Sequence, residues 1–215
     1  GSEMCIRDSL KNSQYTKLET TCYAPTIMGP FHYLPFLECN HAIISLRHHI
    51  TGSLKVNNQK FQIIGDGYIE KDWGRSFPQD YLWLQSNSCK EKEASLFLSI
   101  AKIPLLACSF QGLIMNLLVD DQQIRVATYY GARVKDMFTR EGYHYLIISQ
   151  HPHTFYLKIK AGHRFELKSP QSGKMNGYVE ESLNALAVLL VYKKNKKVAK
   201  FNFINCGFEL FGNWL

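Results

Sequence analysis

Short apolar runs separated by turn signals recur along this chain, and no other feature of the sequence limits its fold as strongly. The turn signals are Asn57-Asn58, Asp120-Asp121, Glu141-Gly142, His151-Pro152, Ser172-Gly173 and Lys194-Asn195. Runs rich in β-branched and aromatic residues between such signals are typical of antiparallel strands joined by hairpins. Helical periodicity is scarce. The sequence therefore predicts an all-β chain.

Three stretches are predicted to be hairpins: SLKVNNQKFQII, LLVDDQQIRVATYY and LAVLLVYKKNKKVAKFNFI. The segment 179–191 contains Glu-Glu-Ser near its start, which could cap a helix, but its alternation of apolar and β-branched residues favours a strand pair. A many-stranded antiparallel sheet must close into a barrel or fold into a sandwich to protect its edges. Such a barrel can enclose an apolar ligand.

Composition sets wide limits on function. The 215 residues suffice for one domain or two small ones, and a formal net charge of +7 permits anionic partners without selecting among them. The lysines of residues 193–200 have no interleaved aromatic residues, so we expect no nucleic-acid partner. The most apolar run, residues 103–119, is too short and too polar to span a bilayer. No phosphate-binding, dinucleotide or nucleophile-elbow motif is present.

Cysteines and histidines indicate no metal and no cofactor. The six cysteines form no C-x-x-C pair, and reduced thiols in a cytoplasmic protein explain them most simply. His151-Pro152-His153 is predicted to be the tip of a turn. The opening GSEMCIRDS resembles a tag scar followed by adaptor sequence. Residues 1–22 are therefore treated as tag-like or poorly determined, and residues 23–215 as the β domain or domains.

The stretch GDGYIEKDWGRSFPQDYLWLQSN, residues 65–87, concentrates the candidate site residues. If it is extended, a two-residue period places Tyr68, Glu70 and Asp72 on one face. Aromatic and amide side chains share a face further along: Tyr81, Trp83, Gln85 and Asn87. Such a row beside two carboxyls is typical of a ligand cavity, where a carboxyl enclosed by aromatic rings holds its proton tightly and can act as a general acid.

A plainer interpretation fits the same residues. Glu70 and Asp72 would face solvent and pair with neighbouring basic side chains, while Trp83 packs in a core. In the LECNHAI segment, Glu38 or His41 would in this interpretation belong to a hydrogen-bonded pair that joins neighbouring strands. Residue types alone leave these alternatives open.

Residues 65–87 closely resemble the signature of the tocopherol cyclase-like proteins. The resemblance continues in order through PTIMGPFHYLPFLECNHAIIS, LSIAKIP, ATYYGA and NCGFELFG, and so covers nearly everything after residue 22. This family is related to carotenoid hydratases and to fungal cyclases whose two lipocalin-like β domains hold an apolar substrate at their junction. The resemblance implies an antiparallel lipocalin-like barrel or sandwich, the C-terminal part of a two-domain β protein.

The resemblance also implies acid chemistry. Tocopherol cyclases protonate a prenyl double bond and let a phenol oxygen trap the cation. In the related hydratases a comparable Y-x-D-x-x-W-G segment carries acidic residues, and Glu70 falls at the first acid with Asp72 two residues on. Glu70 and Asp72 are thus the predicted catalytic residues. The predicted substrate-binding residues are Tyr68, Trp73, Trp83, Gln85, Asn87, Glu38, His41 and Tyr129.

The expected function is acid-initiated cyclisation or isomerisation of an apolar, prenylated or polyene substrate. A non-catalytic carrier of lipid or isoprenoid would need the cavity without the acid, and an interaction module would need neither. Because family members usually carry another β-rich half upstream, we expect an apolar face that promotes self-association. Peripheral contact with a membrane is a further expectation.

Overall fold

The computed structural model describes residues 6–35, 37–57, 59–105 and 108–212, and antiparallel strands dominate it. In chain order, the strands are β1 (Ile6–Asn12), β2 (Cys39–Val56), β3 (Gln59–Gly74), β4 (Tyr81–Ser86), β5 (Ser88–Cys89), β6 (Ala94–Leu105), β7 (Cys108–Val119), β8 (Gln122–Ala127), β9 (Arg133–Arg140), β10 (Tyr143–Gln150), β11 (His153–Lys160), β12 (Arg164–Gln171), β13 (Lys174–Lys193) and β14 (Lys196–Phe211). Two short 3₁₀ helices, Gly29–Tyr33 and Thr128–Tyr130, complete the described secondary structure. None of the helices in these ranges is long and apolar enough to cross a membrane.

The strands form two sheets. A small sheet has the order β1-β2-β3, and a large sheet has the order β8-β7-β6-β4-β14-β13-β11-β10-β9, with β5 paired to β14 and β12 paired to β13. Every pairing is antiparallel. The predicted all-β, antiparallel fold of the lipocalin-like kind is confirmed.

The turn signals produce the predicted hairpins. Val119 pairs with Gln122 across Asp120 and Asp121, and both aspartates have positive φ angles, as a two-residue hairpin turn requires. The same geometry recurs at Lys194 and Asn195, between β13 and β14. At the first hairpin Asn57 has a positive φ, whereas Asn58 lies outside the described residues. Residues 179–191 lie within β13, which confirms the strand interpretation.

The large sheet curls around one apolar core. Leu82 and Leu84 of β4 are fully buried and pack in the same cluster as Phe155 of β11 and Phe208 of β14. The Gln150 side chain of β10 accepts from the amide of β8 residue 127 and donates to the carbonyl of residue 125. Strands from opposite ends of the sheet order are therefore linked, as expected of a sheet that curls to protect its edges.

The small sheet covers the outer face of the large sheet. Leu96 and Leu98 of β6 face the main core, and Phe97 between them points to the other side because side chains alternate along a strand. There Phe97 packs with Ile43 and Leu46 of β2 in a second buried cluster, with Tyr68 and Trp83 at its margin. This interlayer packing sets the faces of β3 and β4 opposite each other.

Candidate active site

A cavity partly open to solvent lies between the two sheets, and it measures about 930 Å³ when the open space at its mouth is included. Met28, Phe31, Phe77, Ile103 and Phe110 belong to its chiefly apolar wall. Its polar lining residues include His41, Glu70, Asp72, Tyr81, Trp83 and Glu209. An apolar space with a few placed polar groups is the usual form of a small-molecule site.

His41 lies between two carboxyls. The pairing of β2 with β3 sets His41 opposite Asp72 and Ile43 opposite Glu70. His41 Nδ1 is 2.5 Å from Asp72 Oδ1, whereas Nε2 is 3.4 Å from Glu70 Oε2 and makes no hydrogen bond. Burial disfavours the imidazolium, but the hydrogen bond to Asp72 and the charge of Glu70 outweigh it and raise the pKa of His41. The imidazole ring also stacks on Phe97 at 4.9 Å.

Glu70 accepts hydrogen bonds from two neighbouring side chains. Its Oε2 accepts hydrogen bonds from Tyr68 Oη at 2.7 Å and from Trp83 Nε1 at 3.3 Å, and its side chain is 21% exposed. Burial raises the pKa of Glu70, while His41 and the two donors oppose the rise. We name His41, Glu70 and Asp72 the histidine cluster. The plainer interpretation supposed that Glu70 and Asp72 pair with neighbouring basic side chains. Among the described ion pairs, both carboxylates pair with His41 and neither pairs with a lysine or an arginine.

A third carboxyl that lines the cavity, Glu209, was not among the residues predicted from the sequence. Tyr81 Oη donates to Glu209 Oε2 at 2.5 Å. Burial raises the pKa of Glu209 to about 7, aided by the negative charges of Glu181, Glu70 and others and opposed by the Tyr81 hydrogen bond. The sequence feature that could have identified it is a single acidic residue between two apolar residues, Phe208 and Leu210, in the NCGFELFG motif.

Trp83 connects Glu209 to Glu70. It is the cross-strand neighbour of Glu209, and its indole N–H reaches across the interlayer space to Glu70. The indole ring lies over Gly207, where an added Cβ would come within 2.7 Å of Cζ3. The missing side chain at Gly207 thus leaves room for the ring.

Five of the residues predicted from the sequence line the cavity: Glu70, Asp72, His41, Trp83 and Tyr129. Tyr129 Oη donates to the carbonyl of Ile27 at 2.8 Å, and its ring packs on Gly29. Burial raises the pKa of Tyr129 to about 12, so this phenol is neutral and acts as a fixed wall.

The other predicted residues lie outside the cavity lining in the described part of the chain. Tyr68 donates a hydrogen bond to Glu70. The Gln85 amide donates to Asn87, whose own amide donates to the Gly67 carbonyl, so this pair joins β4 to β3. The remaining two residues are exposed at the surface. They are Trp73, which is 39% exposed, and Glu38.

The histidine cluster has the ligand types that could hold a divalent cation. One ligand atom from each residue lies within 4.8 Å of the other two. An imidazole and two carboxylates suit zinc or manganese. We interpret the cluster as a hydrogen-bonded, ion-paired network because Asp72 and Glu70 raise the pKa of His41, which favours the imidazolium, and a metal needs the neutral ring.

Fold and site together define a lipocalin-like β protein with carboxyl groups at the wall of an interlayer cavity. Residues 15–103 match the family of tocopherol cyclase-like proteins. The resemblance seen in the sequence is therefore confirmed over residues 15–103, and this segment, with Glu70, Asp72, His41 and Trp83, is tocopherol cyclase-like. Tyr129 and Glu209 lie beyond the matched residues. No curated protein matches the chain.

Two crystal structures of CghA share the fold. The crystal structure of CghA with Sch210972 has a TM-score of 0.60 and 9% identity, covering 96% of this chain and 62% of that one. The crystal structure of CghA has a TM-score of 0.59 and 9% identity, covering 97% and 62%. Kievitone hydratase from Nectria haematococca has a TM-score of 0.43 and 14% identity, covering 77% and 53%. This chain thus spans less than two thirds of the length of CghA.

Proposed function

We propose that this protein catalyses an acid-initiated cyclisation or isomerisation of an apolar, prenylated or polyene substrate. The observation that carries the proposal is a carboxyl group, Glu70, held at the wall of an apolar cavity by Tyr68, Trp83 and His41. The family match supports it, because residues 15–103 contain this whole network. CghA has been crystallised with Sch210972, which supports a small-molecule ligand for this fold.

The chemistry needs a proton donor, a dry cavity and a surface that tolerates positive charge. Proton transfer to an alkene uses the π electrons to form a C–H bond and leaves a tertiary cation on the neighbouring carbon. The ring faces of Trp83 and Tyr129 can stabilise this cation, and the carboxylates of the cavity add electrostatic stabilisation. An apolar lining limits the access of water, so the substrate's own oxygen can trap the cation, or loss of a proton can form a new alkene.

The test uses an ortho-prenylated phenol with a trisubstituted double bond, incubated with the protein in D₂O. The expected product has the connectivity of a cyclic ether and one new carbon-bound deuterium. Glu70→Gln should lower the rate by about 100-fold or more while the affinity for the phenol stays within a few fold, because the amide keeps the shape of the site. Glu180→Gln, at a 62% exposed side chain that pairs with Arg164 on the surface, is the matched control. Full activity of Glu70→Gln would remove Glu70 from the mechanism.

A carrier function is the second candidate, since the cavity is chiefly apolar and open on one side. Native mass spectrometry after purification tests it by detecting a bound lipid or isoprenoid. A bound isoprenoid together with no turnover of any prenylated substrate would support the carrier and contradict the enzyme.

A further inference from the structure

The cavity contains two tyrosine-bound carboxyls, although protonation of an alkene needs only one donor. Tyr68 holds Glu70 on the small sheet, and Tyr81 holds Glu209 on the large sheet. Both carboxyls line the same space and both neighbour Trp83, one by a hydrogen bond and the other by strand pairing. A substrate bound against the Trp83 indole would therefore share its space with both acidic groups.

The surroundings of the two carboxyls favour opposite protonation states. His41 Nε2 lies 3.4 Å from Glu70, and because the pKa of His41 is raised, its imidazolium form is favoured and stabilises a carboxylate there. Glu209 has no basic partner among the described ion pairs, and its cross-strand neighbour on β13 is another acid, Glu181. Like charges close together keep one group protonated, and Glu209 is the more buried of these two acids.

We propose, on the basis of the function proposed above, that Glu209 is the proton donor of this cavity and that the histidine cluster is the proton acceptor. Tyr81 positions the Glu209 carboxyl, and Trp83 separates the two groups so that the cation forms between them. The roles follow the pattern in which two titratable groups in one site are tuned apart to serve as acid and base.

The proposed steps balance in atoms and electrons. Glu209 transfers its proton to one alkene carbon, and the π-electron pair forms the new C–H bond and leaves a tertiary cation. A lone pair on the substrate hydroxyl oxygen forms the C–O bond, and the hydroxyl proton passes to the Glu70 carboxylate. The product is an isomer of the substrate. Solvent at the open side of the cavity then returns the proton from Glu70 to Glu209, so no co-reactant is consumed.

The charged and titratable groups around Glu209 predict the pH dependence of the reaction. They are Tyr81 on β4, Glu181 on β13, and Glu70 and Asp72 on β3. The acid form of Glu209 is the active one, so the rate should fall as the pH rises through about 7. Removing the negative charge of Glu181 should move this fall to lower pH, because Glu181 helps to keep Glu209 protonated.

Deuterium exchange separates the donor from the acceptor. The unreacted prenylated phenol is recovered from D₂O and deuterium at its vinylic carbon is measured by mass spectrometry. Glu70→Gln should lose cyclisation by about 100-fold yet still exchange deuterium onto this carbon, since Glu209 can deliver a deuteron there and its carboxylate can then remove the carbon's original proton. Glu209→Gln should lose both reactions, and Glu180→Gln should lose neither.

Each outcome decides between the proposals. Exchange that persists in Glu209→Gln and disappears in Glu70→Gln would reverse the assigned roles and overturn the inference. Turnover by wild type that is unchanged in Glu209→Gln would overturn it and leave the proposed function standing. If the wild-type protein shows no deuterium exchange and no cyclisation, the proposed function itself is contradicted. If Glu209→Gln does not fold, Glu181→Gln carries the test, and an unshifted pH profile would contradict the role of Glu209.

Discussion

The two walls of the cavity hold similar tyrosine–carboxyl pairs. On the small sheet, Tyr68 donates to Glu70 from two residues away along the same strand. On the large sheet, Tyr81 donates to Glu209 from a neighbouring strand that is 128 residues away in the chain. Their oxygen–oxygen distances are 2.7 Å and 2.5 Å, so the hydrogen bonds alone do not distinguish them.

The neighbouring charges do distinguish the two pairs. Glu70 has His41 beside it, and that positive charge limits the rise in pKa that burial causes. Glu209 faces Glu181 across the strand pair, and burial and negative neighbours raise its pKa to about 7. The comparison shows that the charges on neighbouring strands, more than the tyrosine hydrogen bond, set the two carboxyl pKa values apart.

The largest expected effect comes from removing the packing between the walls. Phe97→Ala deletes a ring that is 2% exposed and stacks on His41, and should lower the free energy of unfolding by about 3–5 kcal/mol. Phe155→Ala in the main core should cost a similar amount. Only Phe97→Ala should alter the NMR titration of His41. A loss below about 1 kcal/mol would mean that Phe97 does not join the two sheets.

The pH dependence of stability should differ between wild type and Glu209→Gln. Below the usual glutamate pKa of 4.5, Glu209 is protonated in both the folded and unfolded states. As the pH rises toward about 7, the unfolded chain releases its proton first, so the folded state loses stability. The loss should be on the order of 2–3 kcal/mol, measured by chemical unfolding at pH 5 and pH 8.

His41 and Glu70 also have raised pKa values in the folded state and add a loss of the same sign, but they do so in both proteins. The difference between the two stability curves therefore isolates Glu209. Parallel curves for wild type and Glu209→Gln would show that Glu209 titrates in the fold as it does in the unfolded chain.

Gly207→Ala should disconnect the two walls at Trp83. The added methyl group would lie 2.7 Å from the indole ring, so the ring must move, at a cost of about 1–2 kcal/mol. The Trp83 indole N–H resonance should shift upfield as its hydrogen bond to Glu70 lengthens. Gly65→Ala in β3, where an added Cβ meets nothing within 4 Å, is the control and should leave that resonance in place. An unshifted resonance in Gly207→Ala would contradict the contact.

The smallest effects should come from the two tyrosine hydroxyls. Tyr68→Phe and Tyr81→Phe each remove one hydrogen bond, and each should cost about 1 kcal/mol of stability. Because each hydroxyl lowers the pKa of its partner, Tyr68→Phe should raise the pKa of Glu70 alone and Tyr81→Phe that of Glu209 alone. NMR titration of the carboxyl carbons measures both values. If both carboxyls shift in both variants, they titrate as one coupled unit.

Features that depend on near neighbours in the chain were predictable from the sequence. Positive φ angles at Asp120 and Asp121 follow from the needs of a two-residue turn, and the burial of Leu82 and Leu84 follows from the alternation of a strand. The shared face of Glu70 and Asp72 follows from the same two-residue period. These are local geometric rules, and they act whatever the rest of the chain does.

The sequence by itself thus determined the strands, the turns and one carboxyl wall, whereas the tertiary structure decided what faces that wall. Glu209 meets Tyr81 only because the large sheet curls and inserts β14 beside β4, and no local period encodes that pairing. Trp83 reaches Glu70 only because Phe97 holds the two sheets together. The raised pKa of Glu209 likewise comes from burial and from charges on other strands. Such long-range packing depends on how the whole chain buries its apolar surface, so the second acid emerged only from the folded structure.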